Sequence, residues 1–201
     1  MKRRDFLQFC GMGIIALAVN QYLFAKNSSK RFPNIIFILA DDLGYGDVSC
    51  LNPESKIHTP NLDNLASEGI TFTDAHSGSA VCTPTRYGIL TGRYSWRSIL
   101  KKGVLQGHSR ALISSDRLTV ADLLKKAGYK TACIGKWHLG MDWPTKDGRP
   151  AVKGLKNVDF KQDIKNSPLD FGFDYFFGIS GSLGMAPVSY THLTLPTTPY
   201  V

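Results

Sequence analysis

The segment Cys82-Thr83-Pro84-Thr85-Arg86 sets a sulfur nucleophile and a guanidinium four positions apart, with a proline between them. Proline disfavours helical geometry in the residue before it, so Thr83 is expected outside the helix that follows through Tyr87 and Leu90. Cys82 is then presented near a helix N-terminus, where backbone N–H groups and the macrodipole favour anions. Arg86, about one turn further on, can lean back toward the sulfur. This chemistry is that of an anion-binding nucleophile; a buried cysteine in a turn is the plainer alternative.

Two other polar clusters follow apolar runs. Asn34 to Ala40 is continuously apolar and rich in β-branched residues, a pattern that predicts a strand buried on both faces of a parallel sheet. It ends in Asp41-Asp42-Leu43-Gly44-Tyr45-Gly46-Asp47. Adjacent carboxylates there are costly unless neutralised, and all-oxygen ligation favours a hard cation, Ca²⁺ or Mg²⁺, over zinc. Asp47 reads as a solvated turn residue. Tyr129 to Ile134 predicts another strand, followed by Gly135-Lys136-Trp137-His138-Leu139-Gly140. In open α/β sheets the crevice beyond the carboxyl ends of the strands is where ligands bind, and both clusters are expected there.

The elements that must position these residues alternate in type. Thr59-Pro60 predicts a helix start, Leu62, Leu65 and Ala66 its buried stripe, and Gly69 its end. Ile70 to Thr73 alternates as a strand. Thr119 with Asp122 predicts a capping box, Leu123, Leu124 and Ala127 an apolar face, and Gly128 a stop. Cys133, mid-strand, reads as a small core residue. Gly140 to Pro168, rich in Lys, Asp, Gly and Asn, reads as a surface excursion, and Asp170 to Gly178 as a further strand. This alternation predicts an α/β fold.

At 201 residues, with 43% apolar and 20% charged residues, the chain has the composition of a globular domain or a piece of one. The net charge of +8 is spread without a dense basic block, which suits an anionic substrate and gives no support to nucleic-acid binding. Four cysteines without a CxxC pair predict neither a zinc site nor a disulfide framework. Residues 1–25 read as a signal peptide: Lys2-Arg3-Arg4, an apolar run from Phe6 to Val19, then Leu23-Phe24-Ala25. Arg3-Arg4-Asp5-Phe6-Leu7 also resembles a twin-arginine motif, and an ordinary secretory signal is the equal alternative. Either way the body is expected to be exported to the periplasm or exterior of a bacterium.

Four stretches together resemble the N-terminal part of the formylglycine-dependent type I sulfatases of the alkaline-phosphatase-like superfamily, nearest the arylsulfatase A-like branch. They are Asn34 to Asp47; Thr59-Pro60-Asn61-Leu62-Asp63; Cys82 to Arg86 with Leu90-Thr91-Gly92-Arg93; and Gly135 to Gly140. The resemblance implies an alkaline-phosphatase-like sheet flanked by helices, present here only in its N-terminal portion. It implies that a maturation enzyme oxidises Cys82 to formylglycine (3-oxoalanine), whose hydrated form attacks the sulfur of a sulfate ester. It implies further that Asp41, Asp42 and the modified Cys82 hold Ca²⁺, with Mg²⁺ the lesser choice. Arg86 would stabilise the modified residue, Lys136 would bind a sulfate oxygen, and His138 would take a proton as sulfate is expelled. Ser182 loosely matches a family position near the sulfate, and a structural serine is the preferred reading there.

Family members run to more than twice this length, and the resemblance implies a second histidine, further Ca²⁺ ligands and a second lysine downstream. The sulfatase-like body is expected to span residues 26–187. Residues 188–201 depart from the pattern and read as foreign sequence, His192 included. The function expected of the whole protein is hydrolysis of a sulfated small molecule or carbohydrate. The alternatives are a phosphate or phosphonate monoester hydrolase of the same superfamily, and an inactive fragment.

Overall fold

The computed structural model describes residues 32–185 and the backbone of residues 189–191. The signal-peptide expectation for residues 1–25 lies outside the described residues. The chain divides into two units, residues 1–43 and residues 44–201.

In the first unit the strand expected over Asn34 to Ala40 does not form. The backbone carries no regular structure, and Ile36 and Ile38 are 85% and 80% exposed. An apolar run specifies a strand only where a neighbouring strand takes up its backbone N–H and C=O groups. None of the strand pairings among the described residues involves this run.

The second unit is built on a three-stranded sheet in the order β1-β2-β3, with β1 at Ala132–Lys136, β2 at Tyr175–Ile179 and β3 at Ser189–Thr191. β1 and β2 are parallel, with Ala132 opposite Tyr175 and Lys136 opposite Ile179. β3 pairs antiparallel to β2 through its backbone, so part of the segment expected to be foreign lies in the sheet ladder. β1 starts three residues later and ends two later than the sequence pattern suggests, so Lys136 is its last residue rather than lying beyond it. β2 likewise starts late, because Pro168–Phe171 forms a 3₁₀ turn first, capped reciprocally by Ser167 and Asp170. Gly178 faces Gly135 across the ladder; a Cβ on Gly178 would come within 1.7 Å of the Gly135 carbonyl oxygen, so this close approach requires glycine.

Among the described residues three α-helices accompany the sheet. α1, Pro60–Glu68, has proline at its first position as expected. Its supposed buried stripe is not buried: Leu62 and Leu65 are exposed. The Thr59 hydroxyl does not cap the helix but donates to the Asp63 carboxylate at 3.0 Å, and Ser49 Oγ donates to the same carboxylate at 2.6 Å. Those hydroxyls hold the Asp63 carboxyl below its ordinary pKa, the Ser49 bond contributing most. The strand expected at Ile70 to Thr73 is absent, with Ile70 and Phe72 exposed and no partner strand beside them.

α2, Cys82–Thr91, begins at the cysteine itself. Thr83 is helical, contrary to the expectation from Pro84, because Pro84 falls in the first turn, where the missing N–H has no intrahelical acceptor to lose. Gly92 closes the helix in the left-handed region, φ 63°, its N–H bonded to the Gly88 carbonyl at 2.9 Å. α3, Val120–Lys126, carries the expected capping box: Asp122 N–H donates to Thr119 Oγ1 at 3.1 Å, and Thr119 N–H to Asp122 at 2.9 Å. Its buried contact is Ala121 rather than Leu123, which is exposed. A short helix whose N-terminus is pinned to the chain that precedes β2 (Thr119 Oγ1 to the Phe171 carbonyl, 2.8 Å) presents its first turn, not its middle, to the interior.

The core gathers Tyr87 of α2, Leu112, Ile113, Trp137, Leu139, Phe171 and Phe176. Trp137 stacks on Phe171 at 6.2 Å between centroids and meets Phe173 edge-on at 6.4 Å. Burying each such side chain contributes roughly 1.5–3 kcal/mol. The segment expected to be a surface excursion supplies Met141, Trp143, Leu155 and Val158 to the same core. It folds back on itself through antiparallel bridges, Asp142 to Lys165 and Thr145 to Val158. Cys133 packs against this core as expected, and burial pushes its thiol pKa up to about 11.

Candidate active site

Cys82 occupies the first position of α2, and the sheet brings a lysine to it. Lys136 Nζ donates to Cys82 Sγ at 3.0 Å and to Ser182 Oγ at 3.3 Å. Arg86, one turn along the same helix face, sends Nη1 to the backbone carbonyl of Lys136. One helix therefore supplies sulfur and guanidinium, and the end of β1 supplies the ammonium on the sulfur and the carbonyl that the guanidinium holds. The turn after β2 supplies the serine. Every group is half-buried, so the two cations sit where charge is less screened than at the open surface.

His138 stands two residues beyond Lys136, fully buried, in the left-handed backbone region with φ 56°. A non-glycine residue in that region costs free energy and persists only where its surroundings fix it. The fixing bonds are visible. His138 N–H donates to the Ser180 carbonyl at 3.1 Å, and its Nε2 donates to the Leu105 carbonyl at 2.7 Å. The Thr83 hydroxyl, fully buried one residue after the cysteine, donates to the His138 carbonyl at 2.9 Å and accepts the Leu105 N–H at 3.2 Å. Thr83 thus ties helix α2, the 105 segment and the His138 turn together. Neither role is legible in the sequence: a threonine beside a conspicuous cysteine carries no separate signal, and a backbone acceptor such as the Leu105 carbonyl carries none.

The structure joins Cys82, Arg86, Lys136 and Ser182 in one hydrogen-bonded group. Ser182 joins the group through its hydroxyl, which accepts from Lys136 Nζ. His138 belongs to the same turn as Lys136. Asp41 and Asp42 belong to the other unit, where both are exposed and Asp42 takes a left-handed backbone, φ 59°. Their carboxylate oxygens are the right kind of donor for Ca²⁺, but two carboxylates fall short of its six to eight oxygens. Among the described residues no group of three or more His, Cys, Asp or Glu side chains could hold a metal ion. The residues present do not complete a calcium site.

The family model described as Sulfatase matches residues 33–193. Among curated proteins, the chain is 43% identical over 162 residues to an N-acetylgalactosamine-6-O-sulfatase of Bacteroides thetaiotaomicron, covering 81% of this chain and 29% of that protein. It is 42% identical over 161 residues to human steryl-sulfatase, covering 78% and 25%. Human arylsulfatase A is 48% identical over 119 residues, covering 59% and 23%. Among solved structures, one described under metabolism of multiple glycosaminoglycans by Bacteroides thetaiotaomicron superposes with a TM-score of 0.69 at 41% identity, covering 81% and 31%. Ps i-CgsB in complex with k-i-k-neocarrahexaose superposes with a TM-score of 0.56 at 32% identity, covering 75% and 28%. The chain spans between about a quarter and a third of the lengths of these relatives. The fold is the α/β, alkaline-phosphatase-like fold of these neighbours in partial form. The chain belongs to the sulfatase family.

Proposed function

We propose that the whole protein hydrolyses sulfate esters, with Cys82 as the precursor of its nucleophile. The observation that carries this reading is the placement of Lys136 Nζ 3.0 Å from Cys82 Sγ, at a helix start already favourable to anions. Conversion of Cys82 to formylglycine would supply an oxygen nucleophile whose sulfate ester can collapse and release sulfate.

The chain's own residues do the rest. Lys136 holds a sulfate oxygen and offsets the negative charge that grows on the transferring group. Ser182 shares the ammonium of Lys136 and fixes its direction. Arg86 holds the Lys136 carbonyl, so helix α2 and the end of β1 move as one. In His138 the Nε2–H is committed to the Leu105 carbonyl, which assigns the proton-accepting lone pair of the neutral ring to Nδ1. Asp41 and Asp42 are the candidates to hold Ca²⁺, which would need further oxygen ligands to reach its usual six to eight.

The similarity to an N-acetylgalactosamine-6-O-sulfatase and to Ps i-CgsB, bound to an oligosaccharide in its crystal, supports a sulfated carbohydrate as the substrate class. Export through the N-terminal segment and maturation by a formylglycine-generating enzyme belong to the same proposal. The test is paired turnover of an aryl sulfate and the matching aryl phosphate by the full-length protein, with mass spectrometry of the Cys82 peptide. Sulfate-selective turnover and an aldehyde at Cys82 are expected. Phosphate-selective turnover, or activity with an intact thiol, would overturn the proposal.

A further inference from the structure

Residues 105–110 run from the residue that holds His138 into a second polar region. Met141 N–H donates to the Ser109 carbonyl at 3.1 Å, and Leu112 N–H to the Leu139 carbonyl at 2.9 Å, so this segment lies along the chain that leaves β1. On its other side Gly107 packs against Gly181: a Cβ on Gly181 would come 2.9 Å from Gly107 Cα. The segment is wedged between the end of β1 and the turn that carries Ser182.

Two cavities open along it, and His108 lines both. One, of about 140 Å³, is also lined by Lys153, Gly184 and Met185. The other, of about 230 Å³, is lined by Arg110, Trp143 and Arg149. The carboxylate in this lining is Asp142, and it is already occupied by the Ala111 N–H at 3.2 Å and Asn166 Nδ2 at 2.7 Å. Asp147 stands two residues before Arg149 and accepts that residue's backbone N–H at 3.1 Å and Asn157 Nδ2 at 3.0 Å. What remains in the lining is two guanidiniums and an ammonium, with the His108 imidazole as a further hydrogen-bonding group. Trp143 adds an indole face and a buried Nε1–H that has no acceptor among the described residues. A cationic lining of this kind, with planar guanidinium forks, matches planar or tetrahedral oxoanions.

We propose that these neighbouring cavities, which share His108, are a subsite for an oxoanion, sulfate or carboxylate, carried by the substrate away from the ester that is cleaved. The identity of the ligand rests on the sulfatase reading above; the charge and shape of the subsite do not. Met141 is three residues beyond His138, so chain length alone keeps it within about 11 Å of that residue. In this proposal a single polyanionic saccharide places one group at Cys82 and another at Arg110 and Arg149.

The test uses full-length protein with Cys82→Ala, which leaves the ligand uncleaved, and calorimetric titration with three sulfated disaccharides. One carries a second sulfate, one a uronate carboxylate, and one is the methyl ester of that uronate. The charged ligands are expected to bind about tenfold more tightly than the ester, which is the scale of one well-formed charged hydrogen-bond pair. Whichever charged ligand shows the gain identifies the source of the oxoanion. The gain is expected to shrink with added NaCl and to vanish in Arg110→Gln/Arg149→Gln, and to fall in the exposed single variant Arg149→Gln. Both variants should leave turnover of a small aryl sulfate by the Cys82-containing enzyme unchanged. Equal affinity for all three ligands, or a gain indifferent to both variants, would overturn the subsite. Loss of aryl sulfate turnover in the unaltered enzyme would sink the hydrolase reading instead and leave the binding result to stand.

Discussion

Lys136 Nζ lies 3.0 Å from Cys82 Sγ although 54 positions separate the two residues. The contact depends on β1 ending where it does and α2 beginning at its cysteine. In the proposed reaction an ammonium held there would already be in place as charge develops on a transferring sulfate, with no reorganisation needed at that moment. Lys136→Ala is therefore expected to lower kcat for an aryl sulfate by about 10²–10³-fold, the scale for removing one preorganised donor. Circular dichroism should show an intact fold; an unchanged kcat would refute the role.

Arg86 acts at one remove. Its Nη1 bond to the Lys136 carbonyl positions the strand end, while the ammonium donates to sulfur and serine. Arg86→Lys keeps the charge but not the reach or the planar fork. A displacement of about 1 Å at a reacting group can cost up to about 10²-fold, so kcat should fall within that range while KM changes little. A change confined to KM would point to direct substrate binding instead.

Gly178→Ala tests the sheet. The new methyl group would collide with the Gly135 carbonyl, which is backbone and has nowhere to go. Overpacking of this kind costs about 1–3 kcal/mol and sometimes more. A lowered Tm is expected by differential scanning calorimetry, together with loss of turnover, because the same ladder sets Lys136.

Asp174 gives a pH signature. The carboxyl is held down to about 2 from its ordinary 3.8, first by hydrogen bonding to Lys125 (2.9 Å) and then by the Thr131 N–H at 3.0 Å. A depressed folded-state pKa contributes stability that is present above 3.8 and is lost as pH falls through about 2. Urea midpoints of the unaltered protein and Asp174→Asn should differ by a constant amount at pH 5 to 7, then converge as pH drops through that window. A difference that persists at the lowest pH would place the effect elsewhere.

Cys133 should be inert. With its thiol pushed up to about 11 by burial, only about one molecule in a thousand carries the thiolate at pH 8. Iodoacetamide at that pH should leave Cys133 unlabelled in the folded protein and label it readily in urea.

What the sequence reveals is the chemistry; what it conceals is the partnership. Cys82, Arg86 and Lys136 are legible because few residue types at those spacings do anything else, and the capping box at Thr119 is legible because it is local. The run Asn34 to Ala40 looks like a strand on every local criterion and forms none, since a ladder requires a neighbour that no local pattern supplies. Leu62 and Leu65 fail as core residues for the same reason: periodicity marks an apolar face without saying what covers it. The segment from Met141 to Val158 errs in the opposite direction. Its apolar residues are spaced singly among Lys, Asp and Gly, so its contribution to the core is hidden by its average polarity.

The two side chains that hold Lys136's ammonium do not come from one element: Cys82 starts a helix, and Ser182 follows β2, the strand alongside β1. Because β1 and β2 run parallel, a slip of one residue between them would carry Lys136 away from Ser182 by one residue's rise, about 3.3 Å, and turn its side chain to the opposite face. The ammonium would then meet neither partner. Turnover thus reports strand alignment as well as chemistry, and a misaligned chain would fall silent rather than act on the wrong ester.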